Sequence, residues 1–280
     1  CTVKNTLISY ASQGIWSESG CEDIKIINNT IKNVNLHGIF AWSGKFYTIS
    51  DNKIYREYEY GTSLVRGIHI YDLSSNISIL DNFINYTNVG ILIEDSCEDI
   101  LIKENCMGYQ DTYGIRAISS CTNITIDGNN ITKTTQNSIA IENSANNLIK
   151  NNFVADNDRG LYISGNDNNV SGNIFRESGI EGIYAPGSNN LVFNNVFLNN
   201  LVHINSGGTN YFNNTEIRLL NELTGDISLG IEKIINEKMR EESERKLKES
   251  EENYRRLFEN SPIGIFKTTS KGRIISINPK

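Results

Sequence analysis

Over the first three-quarters of the chain, apolar residues fall in short alternating runs set at a regular spacing. Ile24-Lys25-Ile26, Ile77-Ser78-Ile79, Ile100-Leu101-Ile102 and Ile124-Thr125-Ile126 form one series. Gly38-Ile39-Phe40-Ala41, Gly90-Ile91-Leu92-Ile93 and Ser138-Ile139-Ala140-Ile141 form a second. Alternation places every second residue on one side of a strand. Strands of this length cannot bury a face alone, so each repeat must stack on the next. Between the two series stands an Asn: Asn5, Asn29, Asn52, Asn82, Asn105, Asn129, Asn152, Asn173 and Asn195. An apolar residue follows two places later, from Leu7 and Ile31 to Phe175 and Phe197. The steps between these Asn residues are 24, 23, 30, 23, 24, 23, 21 and 22, the period of a solenoid. The predicted fold class is all-β, a single-stranded parallel β-helix of about nine coils over residues 1–214, roughly 40 Å long.

The repeated residues carry structural roles. A buried Asn at a bend can bond backbone groups, and stacked amides can bond one another along the axis. The recurring Gly (Gly14, Gly38, Gly67, Gly90, Gly114, Gly160 and Gly182) marks a place where a side chain would clash or φ is positive. One coil breaks the rhythm: fifteen residues rather than eight or nine lie between Asn52 and Gly67, an insertion around residues 56–66. Insertions in solenoids become loops on one face, often the binding face.

If the first and third residues after Gly face inward, the second and fourth face out. That places Trp16, Phe40, Trp42, His69 and Tyr71 on the outside with Asp72, Glu94 and Asp95 nearby, and Arg116 further along. Tyr58 and Tyr60 of the insertion join them as candidates for a ligand site. Apolar ring faces suit sugar stacking, and neighbouring carboxylates can bond hydroxyls or bind calcium. Against this, strand surfaces favour aromatics in any case, and acidic residues are usually just solvated. No catalytic residue is assigned.

Composition narrows the picture. The formal net charge of -7 over 280 residues does not suggest a nucleic-acid surface. No apolar run approaches the ~20 residues of a membrane helix. The five cysteines have no CxxC spacing, and His37, His69 and His203 fit no metal-ligand pattern, so no metal and no cofactor are expected. Cys21, Cys97 and Cys121 share one repeat position, which suits small residues at a coil corner. The chain opens on Cys1 and stops at Lys280 within a motif, and is expected to be a piece of a longer protein.

The Asn-Asn-x-Ile and Gly-Ile-x-Ile repeats resemble those of right-handed parallel β-helix proteins: pectin-active lyases and hydrolases, mannuronan epimerases and NosD-like proteins of copper-site assembly. The likeness implies the fold over residues 1–214; the polygalacturonase-type Asp-Asp, Gly-His-Gly and Arg-Ile-Lys set is absent.

From residue 215 the pattern changes. Apolar residues at 217, 220, 223, 227 and 231 make a helix stripe that runs into the mixed-charge stretch Arg240–Glu252. Residues 215–258 are expected to form a signalling helix or coiled coil that makes a homodimer. Its start is similar to the closing helix of a GAF domain. Tyr254, Leu257, Phe258, Asn260, Ser261, Pro262, Gly264, Gly272, Asn278 and Pro279 resemble the opening of a PAS domain, truncated over 259–280. These resemblances imply a sensory piece of a cytoplasmic, sensor histidine kinase-like protein that binds a carbohydrate, a small molecule or a partner. The alternatives are a carbohydrate-active β-helix enzyme and a structural surface repeat protein, with an extracytoplasmic β-helix.

Overall fold

The computed structural model describes residues 1–57, 65–212, 266–268 and 274–277. The chain divides into two compact units, Cys1–Leu220 and Asn221–Lys280. The first is a right-handed parallel β-helix of about nine coils. In the second, Phe266–Thr268 pairs antiparallel with Ile274–Ile277. The expected helix over 215–258, its dimer and the rest of the PAS-like segment lie outside the described residues, as do Tyr58 and Tyr60.

Two parallel sheets form the coils, one of ten strands and one of fourteen. The ten-stranded sheet stacks Lys25–Ile27, Lys45–Ser50, Ser75–Leu80, Glu98–Lys103, Thr122–Asp127 and Leu148–Lys150 in register. Ile26, Ile49, Ile79, Ile102, Ile126 and Ile149 thereby form one continuous inner column, all 0 % exposed. Identical branched side chains stacked a strand apart fill the interior without gaps, and parallel strands of this kind need cover on the inner face.

Each coil holds three strand segments where alternation predicts two. Thr30–Lys32 and Lys53–Tyr55 lie between the Asn and Gly positions. In later coils this segment runs straight into the next, giving Phe83–Glu94 and Cys106–Ile118. The apolar residue two after Asn points inward and anchors the extra segment: Ile31, Ile54, Ile84 and Met107 are buried. Left-handed residues four after Asn then bend the long strands, at Tyr86 (φ 56), Tyr109 (φ 59) and Lys133 (φ 58).

The Asn column is a hydrogen-bonded ladder. The Nδ2 of each residue donates to Oδ1 of the next along Asn29, Asn52, Asn82, Asn105, Asn129, Asn152, Asn173 and Asn195, at 2.9–3.0 Å. Asn5 does not belong to it. Strand register pairs Ile8 with Ile31, so Thr6 takes the ladder position and Leu7 is exposed, a one-residue slip that flips every side chain. The Gly column is explained by close approach: a Cβ on Gly114 would lie 2.5 Å from the Ser138 carbonyl oxygen and from Ile131 Cγ2. Cys97 and Cys121 are fully buried thiols at a coil corner, as expected.

Candidate functional site

The strand Gln13–Ser17 and its successors His37–Trp42 and Arg66–Tyr71 pair in parallel. Register therefore brings Trp16, Phe40 and His69 into one column and Trp42, Tyr71 and Glu94 into a second. His37 joins them from the position before Gly38. The rings form a continuous strip: Trp16 to Phe40 is 4.4 Å between centroids, Phe40 to His37 4.9 Å, Phe40 to His69 5.0 Å and His69 to Tyr71 5.6 Å. Spacings of this size are those of favourable aromatic contacts.

Outward direction does not mean exposure here. Phe40 is 7 % exposed and His69 4 %, because the neighbouring rings close over them. The strip shows solvent its two indoles, Trp16 at 42 % and Trp42 at 37 %, with Tyr71 half-buried.

Two of the three expected carboxylates, Asp72 and Glu94, are each bonded to one ring. Trp42 Nε1 donates to Asp72 Oδ2 at 2.9 Å, and Ser43 Oγ donates to the same oxygen at 2.8 Å. These two bonds hold the Asp72 carboxyl below its ordinary range. The nearby Asp95 carboxylate raises the Tyr71 phenol above its usual value. His69 Nε2 stands 3.2 Å from Glu94 Oε2. Burial, then the nearby Arg66 charge and His37, lowers His69 to about 3; burial and Arg66 lower His37 to about 4. His69 is thus neutral at neutral pH, and its contact with Glu94 is a hydrogen bond donated by the ring rather than an ion pair. Its Nδ1 is then a bare acceptor, buried and without a partner; Nδ1 of His37 also lacks one. Asp72 and Glu94 therefore orient Trp42 and His69.

Arg116 is not part of this group. It lies two coils beyond His69, bonded to Glu142 through Nε at 2.8 Å and Nη2 at 3.0 Å, with its guanidinium 4.5 Å over the Tyr113 ring. Two residues that the alternation rule left out, His37 and Arg66, do belong. Both stand one place before a Gly, and reading that column (Gln13, His37, Arg66, Val89, Tyr113) would have found them.

A second feature is an open cleft of about 400 Å³ at the bend of the later coils, lined among others by Lys133, Asp156, Asp158 and Glu177. These follow the ladder Asn by four residues, apart from Asp158. The Glu177 carboxyl is raised, first by a hydrogen bond with Asp156. Among the described residues, no group of three or more His, Cys, Asp or Glu is disposed to hold a metal ion.

Residues 1–109 and 66–226 match the family described as periplasmic copper-binding protein (NosD). The chain belongs to the NosD family. No curated protein is matched. Solved structures match over the coils. The periplasmic alginate epimerase AlgG is 17% identical with a TM-score of 0.54, over 68% of this chain and 50% of that one. DFA-IIIase from Arthrobacter chlorophenolicus A6, in complex with GF2, is 15% identical with a TM-score of 0.52, over 75% and 64%. A GH87 alpha-1,3-glucanase catalytic domain in complex with nigerose is 14% identical with a TM-score of 0.57, over 76% and 46%. This NosD-family chain thus spans about half the length of the alginate epimerase chain, and likeness at such identity shows the fold alone.

These findings overturn the expectation of a sensory, histidine kinase-like protein. The family and the three structures are a copper-binding family and carbohydrate-active β-helices, with no kinase among them. That expectation rested on residues 215–280, whereas the family match and the residues assembled into a site lie on the coils.

Proposed function

We propose that this NosD-family chain is a carbohydrate-binding β-helix that works outside the cytoplasm and holds a polysaccharide against the outer face of its first coils. The observation that carries this reading is the aromatic strip, whose exposed Trp42 is held in place by Asp72. Ring faces held rigid lose little freedom on binding and present a flat apolar surface to the C–H face of a sugar. Carbohydrate-active structures on the same fold support the ligand class, and the family description and the alginate epimerase, both periplasmic, support the location. Cytoplasmic location, expected from the PAS-like ending, has no such support.

Copper, which the family description names, does not fit the donors in view. His37 and His69 stack at 5.2 Å with planes 23° apart, so their rings lie face to face rather than converging on one ion. Met107 is sealed in the core. No step is assigned to a metal.

Affinity electrophoresis of the full chain through gels containing polysaccharide tests the reading. Retardation is expected in at least one of polygalacturonate, alginate and an α-glucan, with about tenfold weaker retention for Trp42→Ala, the scale of losing one well-placed aromatic contact. Equal migration of wild type and Trp42→Ala in every gel would sink it.

A further inference from the structure

Arg66, Arg116 and Arg159 stand on the outer face of the coils, and their surroundings differ. Arg116 is clamped by Glu142 in two bonds, and Arg159 Nε lies 2.6 Å from Glu181 Oε2. Arg66 shares the register position of Arg159, one place before a Gly, yet no carboxylate partner for its guanidinium is found among the described residues. It lies close enough to His37 and His69 for its charge to lower both imidazoles. Two acids near the strip are already engaged, Asp72 with Trp42 and Ser43, and Glu94 with His69. A half-buried guanidinium beside a rigid aromatic surface, with those carboxylates engaged elsewhere, is set to receive an anion from outside. A planar carboxylate fits its fork of donors best.

We propose that the strip selects an acidic polysaccharide, with Arg66 taking the carboxylate of a uronic-acid unit and Trp16, Trp42 and Tyr71 carrying the rings. This deepens the proposed function and rests on it. No covalent step is involved.

The test compares polygalacturonate with the same polymer after carboxyl reduction, at one fixed ionic strength of physiological size. Wild-type full chain is expected to hold the acidic polymer at least about tenfold more tightly, the usual scale of a hydrogen bond to a charged group. Arg66→Gln should erase the preference with the urea midpoint unchanged; Arg66→Lys should restore part of it. Trp42→Ala should weaken both polymers alike. Equal wild-type affinity for the two polymers would overturn the acidic selectivity and leave the carbohydrate reading standing. Binding of neither polymer would overturn this inference, and the carbohydrate reading would then rest on the other gels. A preference that persists in Arg66→Gln would overturn the role of Arg66.

Discussion

The inside and the outside of the same coils follow opposite rules. On the inside, Asn29 to Asn195 repeat one residue eight times, with every amide bonded to the next. On the outside, the column two after Gly reads Trp16, Phe40, His69, Leu92, Arg116, Ala140, Tyr162 and Tyr184, with little repetition. The ladder contains no group that titrates, while the strip buries two imidazoles. A repeat that holds coils together must be uniform, because each member serves as both donor and acceptor for its neighbours. A surface that recognises something must vary, because a uniform column would bind identically at every coil. The scaffold therefore lies in the repetition and specificity in the departures from it.

The sharpest way to break the contrast is to cut the ladder at its middle. Asn105 Nδ2 donates to the carbonyls of Ile79 and Lys103 and to Asn129 Oδ1, and its Oδ1 accepts from N and Nδ2 of Asn82. Asn105→Ala strands these buried groups together. At about 1–3 kcal/mol for each group left unpaired, and allowing for partial relaxation, the loss should be about 3–5 kcal/mol in urea unfolding. A loss under about 1 kcal/mol would mean that strand pairing alone holds the coils.

How much of this was legible in the sequence follows the same division. The ladder and the inner Ile columns could be read because a period of 21–24 residues repeats them. Asn5 was misplaced since Leu7 satisfies the apolar rule as well as Ile8 does, and only pairing with the next coil decides between them. The direction of Phe40 and His69 followed from alternation, but their burial did not, since it depends on rings from three different coils. The carboxylate clamps were invisible for a related reason. Trp42 and Asp72 are 30 residues apart because the insertion lengthens that coil. Arg66 reads as the end of a loop until its register with His37 is known.

Acid should separate the two regions next. His69 and His37 have folded-state values of about 3 and about 4, below the ~6.5 of an unfolded chain. The unfolded state therefore binds protons first. The stabilising contribution of the neutral imidazoles is complete above pH ~6.5 and declines as pH falls from there toward the folded values. The slope should approach about 1 kcal/mol per pH unit for each histidine. Asp72, whose folded value is lowered by Trp42 and Ser43, loses its contribution only further down, below the ordinary carboxylate range. Urea midpoints measured from pH 7 to 5 isolate the histidines, and His69→Phe should remove about half the slope. Unchanged slope in that variant would show that His69 is not neutral in the fold, or that it exchanges freely with solvent.

The smallest effect should come from the ion-paired part of the outer face. Arg116→Ala removes two bonds to Glu142 and the contact with the Tyr113 ring, a larger list than many core substitutions erase. Yet the arginine side chain is 27% exposed and the glutamate 17%. Water can solvate what is left behind, so the cost should stay below about 1 kcal/mol and shrink further in salt. Glu142→Gln should cost no more, and the double variant little more than either single one. If Arg116→Ala instead matched Asn105→Ala, the outer face would be bearing the coils, and variation there would be constrained. A small cost means that the outer columns can change residue from coil to coil without loosening the helix, which is the freedom a binding surface on this scaffold requires.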